Sequence, residues 1–161
     1  MCGSGVISGA AELYRTGIVE PNVAFVKDSK ISPLSDQAKN GKSYFLPNPG
    51  GDIGTGGVAI SQKDIRSIQL RKAALITGIE FLLKEDDSKV PGKIIVAGAF
   101  GSYLEKSDMI TLGMLSKIEL QDIINSGNLG GAGAVMALCN DQYLQRTKDL
   151  ASEIKVAGFG N

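Results

Sequence analysis

The chain has 161 residues, 43% of them hydrophobic, which is enough for one domain with a core of its own. Its 17 basic and 17 acidic residues balance, so it lacks the positive excess that nucleic-acid and lipid-surface binding require. Histidine is absent and the two cysteines, Cys2 and Cys139, are far apart, which excludes imidazole catalysis and a zinc or iron–sulfur site built by this chain alone.

The first half of the sequence predicts one helix and short strands. In CGSGVISGAAELYRTGIVEP, Ser4 precedes apolar residues at helical spacing and Gly17 stands at a C-cap position, so we predict an amphipathic helix between them. NVAFV (22–26) and SYFLP (43–47) predict strands, with a polar loop between them. DIGTGG (52–57) has the form of an Asp-x-Gly-Thr phosphate turn, but three of its six residues are glycine and it joins two predicted strands, which favours a hairpin.

The second half predicts a long helix, a buried strand and further helices. VAIS (58–61) predicts a strand, and a long amphipathic helix follows over 62–87, with Ser61 and Asp64 as a variant capping box. KIIVAGAF (93–100) is a continuous apolar run, typical of a strand covered on both faces. Helices are then predicted within 103–115, ended near Gly113, and over 128–141 and 141–154, and a short strand is predicted over 155–159. This order of elements predicts a three-layer α/β domain rather than a helix bundle.

Two segments have the residue types of ligand contacts. AGAFGS (97–102) directly follows the predicted buried strand, where glycines let the backbone approach a ligand, although a tight turn without a ligand explains the same residues. Lys72, flanked by Gln69 and Arg71, would meet an adenosine if the long helix lined a cleft; a solvated surface lysine is the alternative. GNLGGAGA (127–134) lacks the order of a phosphate fingerprint and is interpreted as small residues for close packing.

Five linked motifs resemble one family. In chain order they are CGSGVISGAAELYRTGIVE, ISQKDIRSIQLRKAALITGIEFLL, KIIVAGAFGSYL, LGML and GNLGGAGAVMAL. They resemble the carboxyl-terminal part of the reductive activators of corrinoid proteins, over a span from Cys2 to about Leu138. The resemblance implies an actin-like, ribonuclease-H-like lobe, in which helices flank a mixed sheet. Residues 1–161 would then be a single domain, the second lobe of an ATPase domain and a piece of a larger iron–sulfur protein.

The resemblance also implies a function. The full protein would use ATP to return cob(II)alamin on a partner corrinoid protein to cob(I)alamin, the methyl acceptor of one-carbon metabolism. The electron would come from an iron–sulfur cluster in a separate domain. This chain would contribute the adenosine side of a site for ATP or ADP with Mg.

The site residues implied by the resemblance lie on three segments. Those on the long helix and the glycine turn would contact adenosine: Gln69, Lys72, Gly98, Ala99, Phe100, Gly101 and Ser102. The backbone of Gly3, Ser4 and Gly5 would contact an anion, although an ordinary N-cap explains Ser4 equally well. No catalytic residue and no metal ligand is assigned.

Other functions remain open at this point. The chain lacks the family's upstream phosphate turns, first lobe and cluster cysteines, so we expect no catalysis by the isolated chain. The alternative is a non-catalytic module that docks a partner or forms a homodimer, with a vestigial nucleotide site. A small kinase in its own right is disfavoured by the missing phosphate loop. No signal peptide and no apolar run of about 20 residues is found, so we expect a cytoplasmic protein without a membrane partner.

Overall fold

The computed structural model describes residues 2–21, 24–26, 34–35, 43–45, 58–115 and 118–156. The helices in these ranges are α1 (Gly3–Arg15), α2 (Gln62–Glu85), α3 (Gly98–Tyr103), α4 (Lys106–Thr111), α5 (Leu129–Cys139) and α6 (Asp141–Glu153). The strands are β1 (Leu34–Ser35), β2 (Ser43–Phe45), β3 (Ala59–Ser61), β4 (Ile94–Val96) and β5 (Ile123–Asn125), and a 3-10 helix covers Leu120–Asp122.

The strands form two sheets with different pairing. β1, β2 and β3 pair in that order as an antiparallel sheet, in which Tyr44 lies opposite Ile60. β4 and β5 pair in parallel, with Ile94 opposite Ile123. A parallel pair needs a crossover connection, and here the crossover contains α3 and α4. The predicted mixture of parallel and antiparallel strands is therefore present, divided between two sheets.

The first predicted helix is confirmed, and its glycine ends it as expected. Gly17 has φ +71°, and two backbone bonds close the end of α1: Ile18 N–H donates to the Leu13 carbonyl at 2.9 Å and Gly17 N–H to the Tyr14 carbonyl at 3.1 Å. This is a Schellman motif, in which glycine accepts the left-handed conformation without a Cβ penalty. The predicted N-cap was wrong: Cys2 occupies that position, and Ser4 lies inside the first turn.

The predicted long helix is also confirmed, beginning at its capping box. Ser61 Oγ accepts from Asp64 N–H at 3.2 Å, and an Asp64 carboxylate oxygen accepts from Ser61 N–H at 2.9 Å. Two donors that the helix leaves without acceptors are thereby satisfied. Ile65 and Ile68 in the first turns are buried, whereas the later turns are largely exposed up to the end at Glu85.

Several predicted boundaries were wrong. The predicted turn at 97–102 is mostly the short helix α3, because Gly98, with φ +75°, redirects the chain straight from β4 into a helix. β4 is not covered on both faces within this chain, since Ile95 is 59% exposed. α4 begins only at Lys106, three residues after the predicted start at Tyr103, but it ends near Gly113 as predicted, and Gly113 has φ +66°.

Other differences concern strands. β5 was not predicted, and β1 falls within the predicted polar loop. Lys155 and Val156 adopt no strand. The predicted hairpin at 52–57 and residues 157–159 of the predicted last strand lie outside the described residues.

The core lies between α1, the start of α2, β3, α4 and β5. Its largest completely buried side chains are Ile60 and Ile123, and Ile7, Ala10, Leu13, Ile65, Ile68, Leu104 and Met109 pack around them. α5 and α6 contribute no buried residue. Among the described helices none is both long and apolar enough to cross a membrane.

An ion pair between an exposed arginine and a buried carboxylate joins α1 to α4. Arg15 donates to the Asp108 carboxylate at 2.7 Å and to Thr111 Oγ1 at 3.0 Å. The Asp108 side chain is only 7% exposed, and its hydrogen bond raises the pKa of Arg15. Because a buried carboxylate is costly without a cation, this pair fixes how α4 lies against the end of α1.

Replacement of Arg15 by Met should therefore destabilise the protein. Met keeps the apolar stem of the side chain but leaves the Asp108 carboxylate without its cation, so the urea midpoint of unfolding should fall. Glu12→Gln is the matched control, because Glu12 is a 65% exposed partner of the same arginine and exposed pairs contribute little. Equal midpoints for Arg15→Met and the wild type would contradict the assignment.

Candidate functional site

Two cavities lie on either side of Ile68, which lines both. Each has a volume of about 250 Å³. The first, called the amino-terminal cavity below, is lined by Gly3, Val6, Ile7, Asp64, Ser67, Ile68, Arg71 and Met114. The second, called the Lys72 cavity, is lined by Ala10, Tyr14, Val19, Glu20, Pro21, Ile65, Ile68, Gln69, Lys72, Thr111, Leu112 and Gly113.

The amino-terminal cavity is open to the first turn of α1. The N–H groups of Gly3, Ser4 and Gly5 precede the first intrahelical hydrogen bond, from Val6 N–H to the Cys2 carbonyl at 3.1 Å. Amides at a helix N-terminus carry the positive end of the helix dipole and suit an anion. From α2, Arg71 adds a cation to the lining.

Two acidic groups lie near the first turn of α1, the Asp64 carboxylate and the Cys2 thiol, and their hydrogen bonds differ. Asp64 lines the cavity, but its carboxylate is engaged by the N–H and the hydroxyl of Ser61. The Cys2 thiol lies 3.2 Å from Ser4 Oγ. The pKa of Cys2 is lowered, first by the Ser4 hydroxyl and then by the backbone N–H of Gly5. The first turn of α1 thus stabilises a negative charge placed beside it.

One aromatic side chain connects the predicted glycine turn to α1. A Cβ built on Gly3 would lie 3.9 Å from Phe100 Cε1, so the Phe100 ring reaches the helix N-terminus. Phe100 is 46% exposed, so part of the residue is accessible to a ligand.

The glycines of α3 hold the segment close to β4 and to the loop before α5. A Cβ on Gly101 would meet the carbonyl oxygen of Val96 and would lie 3.1 Å from Gly127 N. Gly98 N–H donates to the Gly127 carbonyl at 2.6 Å. Only a residue without a side chain fits at Gly101, so this glycine is explained by packing and needs no ligand.

Lys72 lies in the other cavity, against the turn that ends α4. A Cβ on Gly113 would lie 2.8 Å from Lys72 Nζ, so Gly113 leaves room for the ammonium group. Gln69 also lines this cavity, whereas none of residues 98–102 does.

The structure therefore divides the predicted site residues between two places. Gly3 lines the amino-terminal cavity and lies near Phe100, which is not part of its lining, whereas Gln69 and Lys72 line the Lys72 cavity. Successive helical residues are separated by about 100° around the axis, so Ser67 and Arg71 point to a different side of α2 than Gln69 and Lys72. Arg71 was noted in the sequence only as a neighbour of Lys72; its spacing of four from Ser67 is the signal that both belong to one face.

Comparison with known proteins defines the family. The family model for the C-terminal domain of RACo, the ASKHA domain, matches residues 1–160. The chain belongs to this family. The match covers the carboxyl-terminal helices as well, beyond the span of the motifs.

Two relatives of this ASKHA domain agree with the family match. The corrinoid activation enzyme RamQ of Eubacterium limosum is 32% identical over 152 residues, which are 88% of this chain and 25% of RamQ. A solved structure of a reductive activator for corrinoid, iron–sulfur protein matches with a TM-score of 0.80 and 27% identity, over 94% of this chain and 24% of that one. The fold is therefore the actin-like ASKHA fold, and the chain spans about a quarter of the length of these relatives.

The described residues offer no metal site. Within the described ranges, no three or more cysteine, aspartate or glutamate side chains group in a way that could hold a metal ion. Both cysteines are exposed and unpaired with each other, and two thiols are too few for a four-cysteine cluster.

Two glycine-to-alanine variants should have opposite effects on stability. Gly101→Ala places a methyl group against a backbone carbonyl that cannot move aside, and should cost about 1–3 kcal/mol. Gly78→Ala, inside α2 with nothing within 4 Å of the new Cβ, should stabilise by roughly 0.5–1 kcal/mol. Urea denaturation measures both, and a neutral Gly101→Ala would contradict the close approach of α3 to β4.

The thiol of Cys2 should be unusually reactive near neutral pH. A lowered pKa means more thiolate at pH 7, and the thiolate is the nucleophile. Ser4→Ala removes the first cause of the lowering, so alkylation of Cys2 by iodoacetamide should become slower. Cys139, which is also exposed, is the internal control; equal slowing at both thiols would speak against a local effect of Ser4.

Proposed function

We propose that this chain forms one side of the nucleotide site of an ATP-dependent reductive activator of corrinoid proteins. The observation that carries the proposal is the amino-terminal cavity, which Gly3 of the first turn of α1 and Arg71 line, with Phe100 close to Gly3, in a domain of the ASKHA family. The relatives are named for corrinoid activation. In this proposal the chain binds adenine nucleotide and the remainder of the protein supplies electrons.

The residues at this cavity suit a nucleotide. The amides of Gly3, Ser4 and Gly5 would donate hydrogen bonds to phosphate oxygens, and Arg71 would add a charge-assisted contact. The exposed face of Phe100 suits adenine, because bases stack on aromatic rings. A volume of about 250 Å³ is at the small end for a complete ligand site, as expected if a second lobe closes the site from the other side.

The glycine segment 98–102 has two roles in this proposal. Gly98 and Gly101 set the position of α3 through their contacts with Gly127 and Val96. Phe100 is then the residue that meets the ligand, with Ala99 and Ser102 beside it. Mg would accompany the phosphates and be held outside this half of the site.

Nucleotide binding would act on electron transfer by coupling two equilibria. Reduction of cob(II)alamin to cob(I)alamin is uphill, so a nucleotide must bind more tightly to the arrangement of domains in which the transfer occurs. An iron–sulfur cluster in a separate domain would supply the electron, and a corrinoid protein of a methyl-transfer system would accept it. A homodimer is compatible with this scheme.

The Lys72 cavity supports a second arrangement. Its buried apolar floor, formed by Ala10, Val19 and Ile65, lies below the polar groups of Gln69 and Lys72. In that arrangement adenosine contacts Gln69 and Lys72, as the sequence predicted. We favour the amino-terminal cavity because an arginine and a helix N-terminus line it and the aromatic ring of Phe100 lies close to Gly3.

Calorimetric titration with Mg-ADP distinguishes the two cavities. Arg71→Ala should weaken binding at least about tenfold, the effect of losing one charge-assisted hydrogen bond, and Phe100→Ala should weaken it as well. Lys72→Ala should bind like the wild type. Arg66→Ala is the matched control, because Arg66 is an exposed arginine of α2 that lines neither cavity.

Two results would contradict the proposal. Loss of binding in Lys72→Ala with normal binding in Arg71→Ala would show that the nucleotide binds in the Lys72 cavity instead. Absence of binding to the wild type at millimolar nucleotide would favour the non-catalytic docking module.

A further inference from the structure

The Lys72 cavity contains a positive charge that the fold does not neutralise. Lys72 is half-buried, and its ammonium lies beside the turn at Gly113, where a Cβ would be 2.8 Å from Nζ. Within the part of the chain that the structure describes, this ammonium forms no ion pair and no hydrogen bond with a protein group. The other charged residue of the lining, Glu20, already has an interaction partner. Lys72 therefore offers an uncompensated positive charge to a molecule that enters the cavity.

Most of the remaining lining is apolar. Four of its side chains belong to the buried core, namely Ala10, Val19, Ile65 and Ile68. Tyr14, Pro21 and Leu112 continue the lining around them. Hydrocarbon that covers such a surface is removed from water, which is favourable. The cavity thus suits a molecule that has an apolar body as well as a negative group.

The polar groups of the lining favour a carboxylate as that negative group. Besides the Lys72 ammonium, the Gln69 amide and the Thr111 hydroxyl can donate hydrogen bonds into the cavity. Thr111 Oγ1 accepts from Arg15 at 3.0 Å, which leaves its own proton for donation. An ionised carboxylate only accepts hydrogen bonds, and it matches a set of donors.

The volume of the cavity limits the size of the ligand. Its 250 Å³ would hold about eight water molecules at roughly 30 Å³ each. A ligand that fills it therefore has about eight non-hydrogen atoms, far fewer than an adenine nucleotide.

We propose that the Lys72 cavity binds a small monocarboxylate with an aliphatic or aromatic body. The carboxylate accepts hydrogen bonds from Lys72, and the hydrocarbon covers the buried side chains of Ala10 and Ile65. This site lies on the opposite side of Ile68 from the amino-terminal cavity. The proposal does not rest on nucleotide binding, and both ligands can be bound at once.

A purely structural role explains Lys72 less well. A cation near the C-terminal end of α4 would interact favourably with the helix dipole. The last turn of α4 is already closed without it, because the carbonyls of Asp108, Met109 and Ile110 accept hydrogen bonds from backbone N–H groups that follow them. Lys72→Met should therefore leave the urea midpoint of unfolding unchanged.

The test is a two-dimensional NMR titration of the ¹⁵N-labelled chain with sodium hexanoate, which has eight non-hydrogen atoms in its anion. We expect saturable amide shifts at Gln69, Lys72 and Gly113. Lys72→Met should raise the dissociation constant about tenfold, because the variant keeps the apolar stem and loses the charge-assisted hydrogen bond. Lys63→Met is the matched control, since Lys63 is an exposed lysine of α2 that lines neither cavity.

Two further probes separate the charge of the ligand from its apolar body. Hexanamide has the same size without the charge, so it should bind more weakly than hexanoate to the wild type and equally well to Lys72→Met and the wild type. Inorganic phosphate has the charge without the apolar body and should also bind more weakly than hexanoate.

The outcome is distinguishable from that of the nucleotide proposal. Arg71→Ala should bind hexanoate like the wild type, because Arg71 lines only the other cavity. Saturating Mg-ADP should leave the hexanoate affinity unchanged. If the chain binds no nucleotide at all, the hexanoate titration still tests the carboxylate site.

Three results would overturn the carboxylate site. The first is the absence of saturable shifts with hexanoate at tens of millimolar. The second is equal hexanoate binding by Lys72→Met and the wild type. The third is competition between hexanoate and Mg-ADP, which would make the cavity part of the nucleotide site.

Discussion

The packing of α1 against the first turns of α2 and against β3 determines where the candidate site residues on these two helices lie. Ile68 stands at the centre of this contact and lines both cavities. Gly9 allows the close approach, since a Cβ there would lie 2.5 Å from Cδ1 of Ile60, which is completely buried. Because α1 lies this close to β3, its first turn opens beside Ser67 and Arg71, and its last turns close over the Lys72 cavity.

A second set of contacts connects the site to the rest of the fold. Gly101 lies against Val96 and Gly127, and Asn125 donates to the Leu104 carbonyl at 2.9 Å. These contacts tie α3 to β4 and to the loop that leads into α5. These contacts hold Phe100 near the N-terminus of α1. A displacement of α5 would therefore also shift α3, which carries Phe100. The candidate nucleotide site and α5 are therefore neighbours in the fold.

The elements that were predicted correctly have strong local signals. The capping box of Ser61 and Asp64 and the glycine at position 17 mark helix ends through hydrogen bonds between near neighbours in sequence. β5 was missed because its three residues pair with β4, about thirty positions earlier, and a distant partner leaves no local pattern. The apolar run at 93–100 could not show that one face is open, since hydropathy alone does not reveal what covers a strand.

The site was harder to predict than the family. The motifs indicated the correct family, whereas the site residues stay a prediction, of which Gly3 and Phe100 lie close together. The face of α2 that is turned toward α1 depends on the rotation of α2 about its own axis. The burial of Ile65 and Ile68 sets this rotation. If Ile65 and Ile68 are placed in the core, the helical spacing shows that Ser67 and Arg71 are polar residues beside the buried face. The sequence could therefore have identified them.

The most direct test of the account is a two-dimensional NMR titration of the ¹⁵N-labelled chain with Mg-ADP. It locates the ligand without a substitution, because each backbone amide reports its own surroundings. The account predicts that the largest saturable shifts occur at Gly3, Ser4 and Gly5, at Ser67 and Arg71, and at Phe100. Shifts confined to Gln69, Lys72 and Gly113, or the absence of saturable shifts, would contradict it.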